Sequence, residues 1–115
     1  MQLRESQSIF AYNVAHLIIF IKSMGMSCTF AEAYRTPEQA ELDAKSGAGI
    51  KDSLHCQRLA IDLNLFDASG TYLSVVTDEY KRVGAYWTHL NEHNRWGGDF
   101  KTRIDPNHFE MNCIK

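Results

Sequence analysis

The stretch from Leu59 to Phe66 is the feature that most restricts how this chain can fold. One side of its alternating pattern is apolar and consists of Leu59, Ile61, Leu63 and Leu65. Alternation with a period of two predicts a β-strand that rests one face on a core. The same pattern puts Asp62 on the opposite face, seven residues after His55. A buried carboxylate is costly to desolvate, so a metal, a cation or several donors should face Asp62.

A second pair of an acid and an imidazole lies near the other end of the sequence, where Asp105 precedes His108 by three residues. His55, Asp62 and His108 form a ligand set suited to zinc, with one coordination position left for water. Asp105 is then a spare carboxylate that could take a proton from this water and pass it to a leaving amine. These residues predict a small metallohydrolase.

Periodicity and capping signals place the remaining elements. Apolar residues at spacings of three and four predict a helix over residues 5–24, and Gly25 is a plausible stop. Thr36 and Pro37 predict the start of a short helix that ends near residue 45, and Thr77 that of a helix over residues 77–92. Strands are expected at 26–33, 59–66 and 108–111, turns at 67–70 and 96–99, and a flexible link at 46–49. Helices and strands follow no regular alternation, so the predicted class is α+β.

The bulk properties exclude several classes of protein. With 115 residues and 44% apolar residues, one domain over residues 1–115 is expected. The net charge of −2 gives no basic field for nucleic acid. Three cysteines without paired spacing argue against a disulfide framework. The apolar run 14–21 is too short for membrane insertion, and no signal peptide is visible, so synthesis in the cytoplasm is expected.

Three other interpretations compete with this zinc site. His89 and His93, with Glu92 between them, match the inverted zincin pattern, although a third ligand is not evident. Cys56 beside His55 could be a nucleophile, but adjacent side chains point apart, which favours a packing role. The third is a zinc-stabilised module that binds cell wall or a partner protein without catalysis.

The constellation resembles the zinc peptidases that cleave peptidoglycan stem peptides, a family that includes D-alanyl-D-alanine carboxypeptidases and phage L-alanyl-D-glutamate endopeptidases. The matching residues span about 26–112. They comprise Ser53 and His55, Ala60 and Asp62, Asp105 and His108, and, as in the short phage enzymes, the stretches 33–39, 96–99 and 108–110. The resemblance implies the fold that the family shares with the hedgehog signalling domain, with a short antiparallel sheet flanked by helices.

The resemblance also implies a role for each residue. His55, Asp62 and His108 would bind zinc, and Asp105 would be the general base. Arg35 would stabilise the developing oxyanion, with a salt bridge to Glu32 or Glu38 as the alternative. Ser53 would touch substrate or simply cap its loop. Apart from the resemblance, Trp96 beside two glycines could line the substrate groove or pack in the core, and the core is slightly favoured.

Two positions depart from the family pattern. Many members have glycine three residues after the first histidine, where this chain has Arg58, which puts a tight turn there in doubt. Asp105 stands where the carboxypeptidase branches often have glutamate, which points to the endopeptidase branch. Glu110 could support His108 or replace Asp105 as the base.

The resulting expectation is a monomeric phage endolysin that hydrolyses an amide in peptidoglycan stem peptides, with L-alanyl-D-glutamate the leading bond. Such a protein would accumulate in the host cytoplasm and reach the wall after membrane permeabilisation. The alternative activity is that of a D-alanyl-D-alanine carboxypeptidase.

Overall fold

The computed structural model describes residues 2–47 and 53–113. Within these residues, three α-helices and four short strands form an α+β fold, as the sequence predicts. The helices are α1 (Leu3–Ser23), α2 (Pro37–Ser46) and α3 (Asp78–Leu90), and the strands are β1 (Ser27–Phe30), β2 (Ala60–Phe66), β3 (Asn94–Trp96) and β4 (His108–Met111). Two 3-10 helices span Leu54–Gln57 and Gly97–Asp99.

The four strands form one antiparallel sheet in the order β1-β2-β4-β3. Strands β2 and β4 are therefore its two central strands, and their register places Asp62 directly opposite His108. Because side chains alternate along a strand, Asp62, Asn64, His108 and Glu110 lie on one polar face. The sheet thus brings together two segments that are 46 residues apart in sequence.

The other face of the sheet packs on α1 and α3. Phe10 of α1 meets the Trp87 ring edge-on at 5.6 Å, and Trp87 in turn meets Phe109 of β4 at 6.0 Å. The Trp87 indole N–H donates to the carbonyl groups of Arg95 (3.0 Å) and Glu110 (3.1 Å). Trp87 therefore ties α3 to both β3 and β4. In the described part of the chain, no helix combines the length and apolar character needed to cross a bilayer.

The predicted element boundaries are mostly confirmed, with three corrections. His55 lies in a 3-10 helix, where the sequence indicated a loop. Helix α3 ends at Leu90 instead of near residue 92, and residues 94–96 form a strand that the pattern does not reveal. The predicted link over 46–49 is described only as far as the end of α2 and Gly47, and its residues 48 and 49 lie outside the described part.

The tight turn after His55 is present although Arg58 occupies the glycine position. Arg58 has φ 56° and ψ 37°, in the left-handed region that L-residues usually avoid. Its guanidinium lies 4.0 Å from the centre of the Tyr34 ring, a cation–π contact. Arginine therefore adopts the backbone conformation that glycine favours.

Candidate metal centre

His55 is held from both its main chain and its ring. Ser53 caps the 3-10 helix by accepting a hydrogen bond from the His55 amide at 3.2 Å. The ring is almost fully buried, and its Nδ1 lies 3.0 Å from the Ala33 carbonyl oxygen. A carbonyl can only accept, so Nδ1 carries a proton, and in the neutral ring the Nε2 lone pair is available for a metal. This Nε2 lies 3.2 Å from Asp62 Oδ1.

His108 presents its other ring nitrogen to the same carboxylate. Its Nε2 lies 2.7 Å from Glu110 Oε1, which can only accept when ionised, and its Nδ1 lies 3.1 Å from Asp62 Oδ1. Glu110 is buried and also forms a short ion pair with Arg95 of β3. Glu110 thus fixes the orientation of the His108 ring, as carboxylates commonly do for metal-binding histidines.

Three potential ligand atoms converge at this point. His55, Asp62 and His108 each offer one atom within 4.8 Å of the other two, and no other group of three such residues occurs within 2–47 and 53–113. Adjacent ligands of a tetrahedral zinc ion, at about 2.0–2.1 Å from the metal, are roughly 3.3 Å apart. The separations of 3.1 and 3.2 Å match that spacing. The donor set fits a zinc ion.

In the absence of metal, the pKa values of Asp62 and His108 show that this site stabilises positive charge. Burial opposes the charged form of Asp62, but hydrogen bonds from His108 and His55 outweigh it and lower the pKa of Asp62 to about 2. Burial would lower the pKa of His108, but its bonds to Asp62 and Glu110 raise that pKa to about 9. Without metal, the proton on His108 therefore supplies positive charge beside Asp62, and a bound divalent cation would neutralise the negative charge there more completely.

Asp105 lies on the loop that leads into β4. It is exposed as a residue, yet partial desolvation of its carboxyl group, together with the negative charge of Asp62, raises its pKa. Its main chain is fixed from both sides, since its amide donates to the Gly97 carbonyl and its carbonyl accepts from the His108 amide, each at 3.0 Å. The charges of Asp62 and both histidines contribute to its pKa, so the Asp105 carboxyl group lies within electrostatic reach of the candidate metal centre.

Gly97 permits this loop to approach. A Cβ atom at Gly97 would lie 1.9 Å from the Asp105 carbonyl oxygen and 3.0 Å from the His108 Cβ. The sequence motif predicted a turn here, and a 3-10 helix follows Trp96. The motif gave no indication that Gly97 contacts a residue eight positions later, because that contact depends on how the loop folds back.

Arg35 forms the ion pair with Glu32 that was the alternative to its catalytic role. Its guanidinium makes a short contact to Glu32 Oε1, and its Nε lies 3.8 Å from Asp43. The hydrogen bond that Arg35 donates to the Glu32 carboxylate raises the pKa of Arg35, so the guanidinium stays positively charged. Glu32 Oε1 is also 3.7 Å from His55 Nε2, which places the ion pair at the edge of the metal centre. Arg35 as the oxyanion donor stays a prediction.

Ser53 caps its loop and Trp96 packs in the core, and these are the structural alternatives to contact with substrate. Ser53 is buried and caps the 3-10 helix, so contact with substrate remains a prediction. Trp96 is only 4% exposed, and its indole N–H donates to the Pro106 carbonyl at 2.7 Å. Trp96 thus packs in the core, the alternative that was slightly favoured, and supports the loop between Asp105 and His108, while its contact with substrate stays a prediction.

The competing sites do not assemble in the same way. Helix α3 ends before His93, so His89 and His93 do not lie one turn apart on a continuous helix, and His93 lies 3.6 Å from its neighbour Glu92.

The Cys56 thiol is directed at the Thr36 carbonyl, at 3.9 Å, while the His55 ring faces Ala33 and Asp62. The thiol and the imidazole therefore point apart, as predicted.

Comparison with known proteins decides the family. A family model described as D-alanyl-D-alanine carboxypeptidase matches residues 46–111, more than half of the chain. The chain belongs to this family. Residues 46–111 contain His55, Asp62, Asp105 and His108, whereas Arg35 lies outside them.

A solved structure supports the fold. The crystal structure of Serratia marcescens L-Ala D-Glu endopeptidase ChiX is similar, with a TM-score of 0.61 over 83% of this chain and 77% of that one. The sequences are 18% identical, so this likeness concerns the fold. No curated protein matches the sequence.

Proposed function

We propose that this chain is a zinc-dependent peptidase that hydrolyses an amide bond in peptidoglycan stem peptides. The observation that carries the proposal is the convergence of His55 Nε2, His108 Nδ1 and Asp62 Oδ1, with the second nitrogen of each imidazole already bound to Ala33 or Glu110. Each ring is therefore fixed in the tautomer that a metal ligand needs. Membership of a carboxypeptidase family supports peptide hydrolysis as the reaction.

In the proposed mechanism His55, Asp62 and His108 would hold the zinc ion. Zinc would supply the Lewis acidity that activates water for attack at neutral pH. Asp105 would accept the proton of the attacking water and deliver it to the leaving amine, and its raised pKa suits a group that must both take and return a proton. Arg35 would stabilise the negative charge that develops on the carbonyl oxygen.

The leading substrate is the L-alanyl-D-glutamate bond. Support comes from the aspartate at position 105, which the carboxypeptidase branches often replace by glutamate, and from a structural neighbour described as an L-Ala D-Glu endopeptidase. Removal of a terminal D-alanine is the second candidate, and the description of the matching family favours it. A monomeric phage endolysin, made in the host cytoplasm and reaching the wall after membrane permeabilisation, is the setting we propose.

Digestion of purified peptidoglycan tests the reaction and identifies the bond. Mass spectrometry should find fragments with a new amino-terminal D-glutamate residue for the leading bond, or free D-alanine for the second candidate. Release should stop with a chelator and return with zinc. A protein that binds zinc and peptidoglycan but releases nothing would instead be the non-catalytic module, and this outcome would contradict the proposal.

A further inference from the structure

The side chain of Asn107 is held by a closed set of hydrogen bonds. Its Oδ1 accepts from the Tyr80 hydroxyl at 2.6 Å, and its Nδ2 donates to Asn64 Oδ1 at 3.2 Å and to the Tyr72 hydroxyl at 3.3 Å. Its main-chain carbonyl accepts from the Leu63 amide at 2.9 Å. Four contacts from three separate segments thus fix one residue.

These contacts lie beside the candidate metal centre. Asn107 stands between the proposed base Asp105 and the proposed ligand His108. Asn64 follows Asp62 by two residues on β2, so both side chains lie on the same face of the sheet. The network therefore connects β2, which carries Asp62, to the loop that carries Asp105 and leads into β4.

Asn107 also acts on Asp105 through its main chain. Its amide donates to the Asp105 carboxylate and so lowers its pKa, against the larger effect of desolvation. The direction of the main-chain N–H of Asn107 depends on the orientation of this residue, and its side-chain contacts set that orientation. Tyr80 is buried in the core, so the position of α3 is transmitted to the loop through its hydroxyl.

We propose that Asn107 is a positioning residue which, through its bonds to Tyr80, Tyr72 and Asn64, sets the Asp105 carboxylate and the His108 ring relative to Asp62. The proposal rests on the proposed function, since it assigns the residues that orient its base and one of its ligands. Reactive groups tolerate little displacement, and an error of about 1 Å can cost on the order of a hundredfold in rate.

Two variants test the proposal in the zinc-loaded full chain. Tyr80→Phe removes only the hydroxyl that bonds Asn107, and Asn107→Ala removes all the side-chain bonds. We expect kcat on a stem-peptide substrate to fall about tenfold and about a hundredfold, respectively, with KM changed less than about twofold. Tyr86→Phe is the matched control, because Tyr86 lies on the same helix but stacks on Phe20 at 4.0 Å. It should keep the wild-type kcat.

Cobalt substitution provides a measurement that does not require turnover. The visible absorption of bound Co²⁺ reports its ligand geometry, and we expect Asn107→Ala to shift or weaken these bands while Tyr86→Phe leaves them unchanged. Unaltered bands together with a wild-type kcat in both Tyr80→Phe and Asn107→Ala would overturn the proposal, as would a loss of kcat that matches the unfolded fraction seen by circular dichroism. If the wild-type protein released no peptide, the proposed function would fail, and the cobalt spectra would still decide whether Asn107 orients the centre.

Discussion

Two carboxylates beside His108 have different surroundings, and this difference separates their roles. Glu110 is buried and bonded to both His108 and Arg95, and these contacts outweigh the effect of its burial and lower its pKa. Asp105 is exposed, and desolvation together with Asp62 raises its pKa. A base must reach substrate and exchange protons, which favours Asp105. Glu110 instead holds the ring of His108, a proposed ligand.

Asp105→Asn therefore should retain zinc and lose most turnover. Asparagine keeps an oxygen for the Asn107 amide but cannot take a proton, so we expect kcat to fall by about 10²- to 10⁴-fold. Zinc content, measured by atomic emission, should stay at the wild-type level.

Glu110→Gln is the informative comparison for this variant. It should weaken zinc binding about 10- to 100-fold by loosening His108, and saturating zinc should restore most of its turnover. If Glu110→Gln were inactive at saturating zinc while Asp105→Asn remained active, Glu110 would be the base.

The turn at Arg58 balances two local energies. The left-handed conformation costs an L-residue about 1–2 kcal/mol, and an exposed cation–π contact with Tyr34 returns about 0.5–1 kcal/mol. Glycine at this position would remove both, at some cost in the entropy of the unfolded chain. We expect Arg58→Gly to change the free energy of unfolding by less than about 0.5 kcal/mol.

The same substitution should stabilise a protein that already lacks the ring. In a Tyr34→Leu background, Arg58→Gly should raise the free energy of unfolding by about 1 kcal/mol, measured by urea denaturation. Equal effects of Arg58→Gly in the two backgrounds would show that the contact with Tyr34 does not offset the backbone cost.

Gly97 allows the second 3-10 helix and the loop that carries Asp105 to lie in contact. A methyl group there would overlap the Asp105 carbonyl, and backbone atoms cannot move away as a flexible side chain can. Overpacking of this kind costs about 1–3 kcal/mol, so Gly97→Ala should lower the melting temperature and reduce kcat by displacing Asp105. Gly25→Ala is the control, since its Cβ would meet nothing closer than 4.0 Å. It should lose stability through its φ of 78° but keep its specific activity.

The elements themselves were predictable where a pattern is long or a cap is specific. Alternation in β2 identified the face that carries Asp62, and Thr36 and Thr77 mark the starts of α2 and α3 through the expected hydrogen bonds. Strand β3 has three residues and shows no period, so its existence depends on pairing with β4. The contacts of Asn107 and Gly97 were not predictable for the same reason, because they join segments through the register of the sheet and the path of a loop.

The candidate metal centre makes the stability of the whole protein depend on pH. Without metal, His108 has a pKa of about 9 in the folded state against 6.5 in the unfolded state. A raised folded pKa gives stability that is fully present below pH 6.5 and is lost as the pH rises towards 9. Asp62, lowered from 3.8 to about 2, gives stability that is present above pH 3.8 and is lost as the pH falls towards 2. The metal-free protein should therefore be most stable between about pH 4 and 6.5.

Bound zinc should counteract the loss of stability above pH 6.5. Zinc binding requires that His108 lose the Nδ1 proton that it donates to Asp62, so zinc affinity should rise as the pH approaches 9. The chelated protein should lose on the order of 2–3 kcal/mol of stability between pH 6.5 and 9. Saturating zinc adds about 4 kcal/mol when its concentration is a thousand times the Kd. The gap in melting temperature between zinc-loaded and chelated protein should therefore widen from pH 6 to pH 9.

Calorimetric melting curves at several pH values measure this gap directly. His89→Gln, a change on the exposed end of α3, should leave both curves as in the wild type. His108→Ala should remove the gap at every pH, because it deletes a ligand and the proton that competes with the metal. A gap that stays constant or narrows as the pH rises would mean that zinc does not displace a proton from His108, and the ligand set would then have to exclude this residue.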